Sequence, residues 1–243
     1  VGLRDITINE WHSWGTDIGF TATFDGPTSL RALNYNPRYQ RIINKIKSVS
    51  WKPLADLCNP DSIKRGGRFL RVDGEPEFSY MMVGQKQIFW LRPEGRWIGK
   101  KFLSEDLIGK PGTTLIAAVG TLEDSEKYCR SEFIWGKGAE RAYSEHFYQI
   151  LPIDDVMPSG CLFAFMRSET AFRMLRSISY GTKLQVQRPD YLRDMPIPYP
   201  ESKEERESIH KLIIEACESR DRAIELEDEA RALVERAIEE GGH

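Results

Sequence analysis

The chain of 243 residues is 40% hydrophobic and carries a net charge of −3, which supports one large domain, or one domain with an appendage, and excludes a disordered protein. Its longest apolar runs, at residues 114–119 and 161–166, are far shorter than the roughly 20 residues that cross a bilayer, so we expect no transmembrane helix. The first ten residues lack a basic stretch followed by an apolar block, and we expect a cytoplasmic protein without a membrane partner.

The first 48 residues are predicted to form a lead-in segment that ends in a helix. Aromatic residues lie among glycines over residues 1–26, which indicates short strands and turns. A helical spacing of apolar residues follows, but it is interrupted near Pro37, because proline has no N–H for an earlier carbonyl. We therefore predict the helix itself over residues 37–47.

Residues 49–200 are predicted to form the main domain, with a curved, mostly antiparallel sheet. The segments that combine β-branched and aromatic residues between glycines and prolines are residues 80–83, 87–91, 113–119, 133–135 and 147–151. Apolar spacing over residues 159–177 then predicts one helix or two short ones. Three prolines within residues 195–200 indicate an extended exit from this domain.

Residues 201–240 are predicted to form one long helix. Ser202 is a suitable N-cap, and Glu204 and Glu205 follow in the first turn, where carboxylates meet the positive end of the helix dipole. About 38 helical residues extend roughly 57 Å, longer than a small domain is wide. The helix is therefore expected to project, and the chain is predicted to have an α+β fold followed by one long projecting coiled-coil helix.

The long helix carries a coiled-coil seam. Its members recur at alternating spacings of four and three, and they are Leu212, Ala216, Ser219, Ala223, Leu226, Ala230, Leu233 and Ala237. A further set of apolar residues is expected to widen this stripe: Ile209, Ile213, Ile224, Val234 and Ile238. The alanines would let a partner helix approach closely.

Charge is distributed unevenly along the chain. Residues 201–243 carry 14 acidic and 7 basic side chains, whereas residues 1–200 carry 27 basic and 23 acidic ones. Residues 64–101 concentrate nine bases against four acids. Such an excess is typical of a surface that binds phosphate, although an ordinary solvated surface shows it as well.

The sequence offers no complete catalytic or metal-binding motif. Asn36-Pro37-Arg38-Tyr39 resembles the base-binding loop of amino-methyltransferases but lacks its second proline and a glycine-rich cofactor turn upstream. Pro189-Asp190 with Glu201-Ser202-Lys203 matches a magnesium nuclease in spacing, yet its second half opens a helix. Ser144-Glu145-His146 are consecutive and cannot converge as a triad.

The cysteines do not indicate a metal site either. Cys58, Cys129, Cys161 and Cys217 are scattered, without a C-x-x-C pair or a histidine at ligand spacing, which favours free thiols in a reducing compartment. We therefore predict a non-catalytic protein with no metal and no other cofactor.

A series of weak motifs, taken in order, resembles the recognition half of a type I restriction-modification specificity subunit. The series consists of RALNYNPRY at 31–39, an amphipathic helix, WKPLADL at 51–57, GT at 120–121, SEH at 144–146, GCLFAFMRS at 160–168, YGT at 180–182, MPIPYP at 195–200 and the terminal helix. The resemblance covers about residues 30–240. A full specificity subunit has two recognition domains, and this chain has one.

The resemblance implies a DNA-recognition subunit without catalysis of its own. Such a domain reads one half of a bipartite target in double-stranded DNA, and its long helix pairs antiparallel with that of a second copy or of a second recognition half. DNA adenine methyltransferase (modification) subunits and an ATP-driven restriction subunit are the partners that the family implies. The partner-helix surface on this chain would be Leu212, Ala216, Ala223, Leu226, Ala230, Leu233 and Ala237.

Polar side chains on loops of the basic body are the candidates for contacting DNA, because phosphate contacts fix position and contacts to base edges give specificity. They are Lys64, Arg65, Arg68, Arg71, Gln85, Lys86, Gln87, Arg96, Lys137, Arg141, Thr182 and Lys183. Two alternatives stay open: a recognition fragment of a fused type IIG-like restriction-methylation enzyme, and a coiled-coil interaction module that does not bind DNA. Salt-sensitive binding to duplex DNA would exclude the second.

Overall fold

The computed structural model describes residues 31–122 and 127–241. The helices are α1 Pro37–Lys47, α2 Leu54–Leu57, α3 Ser159–Met166, α4 Glu169–Ser177, α5 Pro189–Arg193 and α6 Lys203–Gly241. The strands are β1 Trp51–Pro53, β2 Cys58–Arg65, β3 Ser79–Val83, β4 Arg96–Gly99, β5 Thr114–Ala117, β6 Val119–Gly120, β7 Ser131–Phe133, β8 Ala142–Tyr143, β9 Phe147–Pro152, β10 Ser179–Gly181, β11 Gln185–Gln187 and β12 Pro196–Pro198. Short 3₁₀ helices lie at Ala32–Tyr35, Pro76–Phe78, Lys100–Phe102, Glu105–Leu107 and Gly136–Glu140. The strands and turns predicted for residues 1–26 lie outside the described residues.

The strands of the described ranges form small sheets that are mostly antiparallel. β2, β9, β5 and β7 lie side by side in that order, and β4, β3 and β8 form a second sheet, in which β3 and β8 run parallel. β10, β11 and β6 form a third sheet, and β1 pairs with β12 alone. The predicted α+β class with mostly antiparallel strands is confirmed.

The central strand β5 contributes to the two largest clusters of the core. All four of its residues are buried, because both faces of its sheet are covered. Ile116 lies in the main core cluster with residues of α3 and α4, whereas Leu115 lies in a second cluster with Val83 and Phe147. Successive side chains of a strand point to opposite faces of the sheet, so one strand contributes to two clusters.

The helix predicted over residues 37–47 is confirmed as α1. Asn36 caps it, since its side-chain oxygen accepts a hydrogen bond from the backbone N–H two residues later, at 2.9 Å. Ile46 is buried in the main core cluster. The lead-in helix therefore shares a core with the region 49–200, and the proposed boundary at residue 48 stays a prediction.

Residues 159–177 form two helices, one of the two outcomes expected. Ser168 separates them, because its hydroxyl oxygen accepts a hydrogen bond from the backbone N–H of Ala171 at 3.1 Å and so caps α4. Both helices contribute to the main core, in which Leu162 of α3 and Leu175 of α4 are fully enclosed. All residues of α3 are buried or half-buried.

The incoming and outgoing ends of residues 49–200 are joined by β1 and β12. Trp51 lies opposite Pro198 in this antiparallel pair, and the backbone N–H of Leu54 donates to the carbonyl of Met195 at 3.0 Å. Prolines are tolerated there, because each strand of a two-stranded sheet has an edge without a pairing partner. The chain thus begins the long helix beside the strand by which it enters the domain.

The N-terminal half of α6 packs on the domain through one face. Cys217 is buried beside Phe133 and Phe163, whose rings lie 5.1 Å apart. The imidazole Nδ1 of His210 accepts a hydrogen bond from the backbone N–H of Gly160 at 2.9 Å. A Cβ at position 160 would come within 3.0 Å of His210 atoms, so the glycine of the motif GCLFAFMRS permits the close approach of the two helices.

Three isoleucines expected to widen the seam belong to this docked face instead. Ile209 packs on the main core, Ile213 on the cluster around Cys217, and Ile224 lines a small cavity with Leu91. A helix turns about 100° per residue, so Ile213 and Ile224, each one residue after a seam member, lie about 100° further round the helix. Ile209 lies nearer the seam, about 60° from Leu212, but at the end of the helix that is packed on the domain. The prediction was therefore wrong for them.

Beyond Glu225 the helix projects, as predicted. Every residue from 226 to 241 is exposed, and all members of the predicted seam are exposed along the whole helix, including Leu212 at 62%, Leu226 at 49% and Leu233 at 61%. The seam therefore does not pack on its own domain. No helix within residues 31–122 and 127–241 is both long and apolar enough to cross a bilayer.

Candidate nucleic-acid interface

An open cleft of about 610 Å³ lies beside β3 and β4. Met82 of β3 and Ile98 of β4 contribute its apolar lining. The polar side chains that line it are Arg71, Gln85, Lys86, Gln87, Arg96, Ser144 and His146, together with one acidic side chain, Glu94. We call this cleft the β3–β4 groove. It brings together five of the twelve residues predicted to contact DNA, and they come from three separate segments of the chain.

The turn after β3 carries the centre of the groove. A strand was predicted over residues 87–91, but the chain forms successive turns there, in which the N–H groups of Gln87 and Ile88 donate to the carbonyl of Gly84 at 3.2 and 3.1 Å. Ile88 is buried, whereas Trp90 is 39% exposed and lines the groove. The strand prediction was wrong because the apolar residues are there to anchor a turn and not to fill a sheet.

Gln85 fixes this turn to a neighbouring strand. Its amide nitrogen donates to the carbonyl of Val119 at 2.7 Å, and its amide oxygen accepts from the N–H of Val119 at 3.1 Å. The Gln85 amide thus pairs with the backbone of Val119 as the backbone of a neighbouring strand would. Gln85 was predicted to contact DNA, and both its amide nitrogen and its amide oxygen are already engaged in positioning the groove.

Glu145 holds two arginines at the edge of the groove. Its carbonyl accepts from the Arg65 guanidinium at 3.0 and 3.1 Å, and its carboxylate lies 2.7 Å from the guanidinium of Arg71. The same carboxylate oxygen lies 3.4 Å from Nε2 of His146. The segment SEH, which makes no catalytic triad, therefore arranges positive charge.

Arg96 presents a second guanidinium to the groove. Its Nε and terminal nitrogen contact the two carboxylate oxygens of Asp73 at 3.1 and 2.8 Å. The hydrogen bond that Arg96 donates to the Asp73 carboxylate lowers the pKa of Asp73 and raises the pKa of Arg96. Both side chains are more than half exposed. Such a solvent-screened pair is weak, so a phosphate, which fits the same planar fork, can replace the carboxylate.

The remaining predicted residues lie in different places. Lys64 and Arg68 are exposed on β2 and on the loop that follows it, towards Arg71. Thr182 and Lys183 are exposed at the tip of the hairpin that joins β10 and β11. This hairpin is linked to the groove, because β11 pairs with β6, the strand that Gln85 holds.

Lys137 and Arg141 lie at the base of the long helix. The ammonium of Lys137 is 2.9 Å from the carboxylate of Glu225, and its backbone N–H donates to Asp221 at 3.1 Å. Arg141 lines a separate small cavity together with Ile224. The structure thus groups these two residues with α6 and not with the β3–β4 groove.

Sequence reasoning missed Trp90, Ser144 and His146 as groove residues. No spacing signal connects the turn after β3 with the segment before β9, which the parallel pairing of β3 and β8 brings together. In the sequence, the segment SEH at 144–146 was distinguished only as one of the motifs that resemble the family.

The residues of the incomplete catalytic motifs have structural roles. Asn36 caps α1, and Asp190 pairs with the guanidinium of Arg188, with Nε 3.1 Å from a carboxylate oxygen. Ser202 caps α6, as predicted, since its hydroxyl accepts from the N–H of Glu205 at 3.1 Å. Within the described ranges, no three His, Cys, Asp or Glu side chains are grouped as metal ligands.

The four cysteines are buried and free. Burial raises the pKa of the Cys58 thiol to about 12 and that of Cys161 to about 11. These thiols are therefore protonated at neutral pH and poorly reactive.

No family model matches the sequence, and no curated protein matches it. Solved structures do. The type I restriction-modification system S subunit from M. genitalium matches with a TM-score of 0.45 and 15% identity, over 68% of this chain and 38% of that one. The HsdS subunit from Thermoanaerobacter tengcongensis matches with a TM-score of 0.45 and 19% identity, over 78% and 47%.

A third match is a chain from a structure that concerns complex assembly and conformational transition of the type I R-M system. Its TM-score is 0.48 and its identity 18%, over 79% of this chain and 48% of that one. The chain spans less than half the length of each of these three chains. Similarity at this level does not assign a function, which depends on the residues themselves.

Proposed function

We propose that the chain is the DNA target-recognition part of a type I restriction-modification specificity subunit and reads one half of a bipartite target. One observation carries the proposal: Arg71, the pair Lys86 and Gln87, and Arg96 come from three separate segments within residues 71–96 and line one open groove. The sequence alone predicts that each of them contacts DNA. Convergence of such residues is expected of a binding surface and not of an ordinary solvated one.

The groove offers both kinds of contact that recognition needs. Arg71, Lys86 and Arg96 supply positive charge for phosphates. Gln87, with an amide that suits the donor and acceptor pair of adenine, and His146 are the candidates for reading base edges. Ordinary surface ion pairs hold the arginines, and phosphate can displace them.

The long helix supplies the partner surface in this proposal. The seam is apolar except for Ser219, regular, and exposed over its whole length, and its alanines allow another helix to approach closely. We assign it to antiparallel pairing with the helix of a second copy or of a second recognition half. The paired helices would then present the surface on which modification subunits dock, and the restriction subunit would join that assembly.

Chemistry belongs to those partners in this proposal, and the chain itself catalyses no step. The residues that came nearest to catalytic motifs, Asn36, Asp190 and Ser202, have capping or ion-pair roles. A fragment of a fused restriction-methylation enzyme would share the recognition role. An interaction module that ignores DNA would not.

The test is duplex-DNA binding by the full chain, measured by fluorescence anisotropy over a range of salt concentrations with random duplexes of about 30 base pairs, roughly three helical turns. Affinity should fall with salt. The double variant Arg71→Ala with Lys86→Ala should reduce the log–log salt slope by about 0.9 for each phosphate that the protein no longer neutralises. Selection of preferred sequences from the same pool should give a different preference for Gln87→Ala.

The matched control is Lys110→Ala with Lys211→Ala, which removes two exposed bases outside the groove and should bind like wild type. Absence of binding by the wild-type chain would support the interaction module instead. Binding that the groove variant does not change would show that DNA is held elsewhere.

A further inference from the structure

Two side chains that line the β3–β4 groove, Gln87 and Trp90, have no partner among the described residues. Trp90 is 39% exposed, although covering an indole ring removes a large apolar area from water. The other groove residues differ in this respect, because the amide of Gln85 is engaged and Arg71 and Arg96 have carboxylate partners. The ring of Trp90 and the amide of Gln87 are therefore available to a ligand.

The residues between these two side chains hold them in place. Ile88 is buried in the second core cluster, and Phe89 packs against that cluster. The backbone N–H of Trp90 donates to the carbonyl of Gln87 at 3.0 Å. Such a bond between residues three apart is of the 3₁₀ type, which places their side chains on the same side of the chain. Gln87 and Trp90 thus stand together on the open side of a turn that is anchored on its other side.

The pair matches the two edges that an A·T base pair offers in the major groove of DNA. Adenine presents a donor and an acceptor that suit the amide of a glutamine, whereas thymine presents one acceptor, O4, and an apolar 5-methyl group. An indole has an apolar face for the methyl group and one N–H that can donate to O4. Both base edges belong to one base pair, as Gln87 and Trp90 belong to one turn.

We propose that Gln87 and Trp90 together read one A·T base pair, with Gln87 on the adenine and Trp90 on the 5-methyl group of the thymine. This inference rests on the proposed function and adds an apolar contact to it, so the half-site contains an A·T pair at the position that the turn meets. An apolar contact releases no counterions. The contribution of Trp90 should therefore be independent of salt, unlike that of the basic groove residues.

The experiment removes the methyl group from the DNA. The probe is the duplex that the wild-type chain selects from the random pool, with each thymine in turn replaced by uracil, which pairs with adenine but lacks the 5-methyl group. At one position the affinity of wild type should fall about fourfold, the value for one methyl group left uncovered. Trp90→Ser should bind the thymine duplex more weakly, should not distinguish uracil from thymine at that position, and should keep the wild-type salt slope. Selection with Gln87→Ala should lose the preference for adenine opposite the same thymine.

The matched control is a second exposed tryptophan. Trp97 is 41% exposed, but it lies between Arg96 and Ile98 of β4, whose side chains line the groove. Successive side chains of a strand point to opposite faces, so Trp97 points away from the groove. Trp97→Ser should bind like wild type and should still distinguish thymine from uracil.

The outcomes separate this inference from the proposed function. If uracil has no effect at any position while Arg71→Ala with Lys86→Ala loses affinity, the inference is overturned and the proposed function stands. The same holds if Trp90→Ser still distinguishes uracil from thymine. An equal loss for thymine and uracil would assign the ring to stacking on a base instead of contact with a methyl group, which also overturns the inference. Absence of DNA binding by wild type would overturn both. A folding defect in a variant cannot produce the uracil effect, because that effect is measured on the wild-type chain.

Discussion

The two apolar faces of the long helix differ in how they are built. The docked face meets the domain through individual fits: His210 with the backbone of Gly160, Cys217 beside Phe133 and Phe163, and Asp221 with the backbone N–H of Lys137. The exposed seam contains leucines, alanines and one serine at a regular spacing. The docked face ends near residue 228, whereas the seam continues to residue 237.

This difference shows what a sequence pattern can and cannot reveal about a helix. A regular repeat suits a straight, equally regular partner, which is another helix. A domain surface is irregular, so the residues of a helix that dock on it show no regular spacing in the sequence. The regular face is the one left without a partner in the single chain, and the irregular one is already occupied.

The largest effect is expected from charges placed in the seam. Leu226→Asp with Leu233→Asp would put two carboxylates into the apolar interface of a helix pair, where desolvation is costly. A penalty of about 1.4 kcal/mol corresponds to a tenfold change in affinity, so a penalty of at least this size for each of the two carboxylates should weaken self-association by about 100-fold or more. Light scattering should then show the 28.0 kDa of one chain, against twice that mass for wild type. Thermal unfolding should change little, because both side chains are exposed in the single chain.

The neighbour of Leu233 provides the control. Ala232 is also exposed, and it lies about 100° further round the helix, away from the seam. Ala232→Asp adds the same charge one residue away and should leave the molar mass unchanged. Equal effects of Leu233→Asp and Ala232→Asp would mean that net charge, and not the seam, controls association.

Much of the fold followed from local patterns. The helix Pro37–Lys47 and the cap at Ser202 follow from signals that lie within a few residues of each other. The exposed seam was predictable because a period extends over many turns. The pairing of β1 with β12 was not predicted as such, although both strands lie in motifs that the sequence had singled out.

The rest depended on contacts between distant segments. The turn at residues 87–91 has the composition of a strand, and only its anchoring through Gln85 to β6 makes it a turn. Lys137 resembles any other loop lysine in the sequence, and only the fold pairs it with Glu225. The basic segments that line the groove could be predicted from the sequence. Which of them come together could not, because that depends on the order of the strands in the sheets.

An intermediate effect is expected at the docked face. Alanine inside a helix is normally more favourable than glycine by about 0.5–1 kcal/mol. At position 160, however, the added Cβ would lie within 3.0 Å of His210. Gly160→Ala should therefore lower the free energy of unfolding by about 1–3 kcal/mol, the usual cost of overpacking, measured by urea denaturation.

The control for this change is another glycine with room beside it. A Cβ on Gly67 would have only a carboxylate oxygen of Asp106 at 4.0 Å, so Gly67→Ala should alter stability by no more than about 0.5 kcal/mol. If Gly160→Ala were instead more stable than wild type, the helices would not approach as closely as the structure shows.

The smallest effect on stability is expected where ion pairs hold the middle of α6 to the domain. The guanidinium of Arg92 lies 2.9 Å from Glu227 and 2.7 Å from Asp228, and Lys137 pairs with Glu225. These pairs are partly exposed, so removing them should hardly change thermal unfolding. They lie where the helix leaves the domain, however, and they fix the direction in which it projects.

Arg92→Ala with Lys137→Ala should therefore broaden the distribution of distances between nitroxide labels on Lys110→Cys and Glu239→Cys, two exposed positions outside the seam. The distances are measured by pulsed electron resonance on labelled chain diluted into unlabelled chain. The native cysteines are buried and should not react. Salt of about 1 M, where the Debye length is about 3 Å, should broaden the wild-type distribution in the same way, because it screens these pairs. Arg231→Ala is the control, since Arg231 pairs with Asp228 on the helix itself. An unchanged distribution for the double variant would mean that the packing around Cys217 alone sets the helix direction, and with it the spacing between two recognition domains.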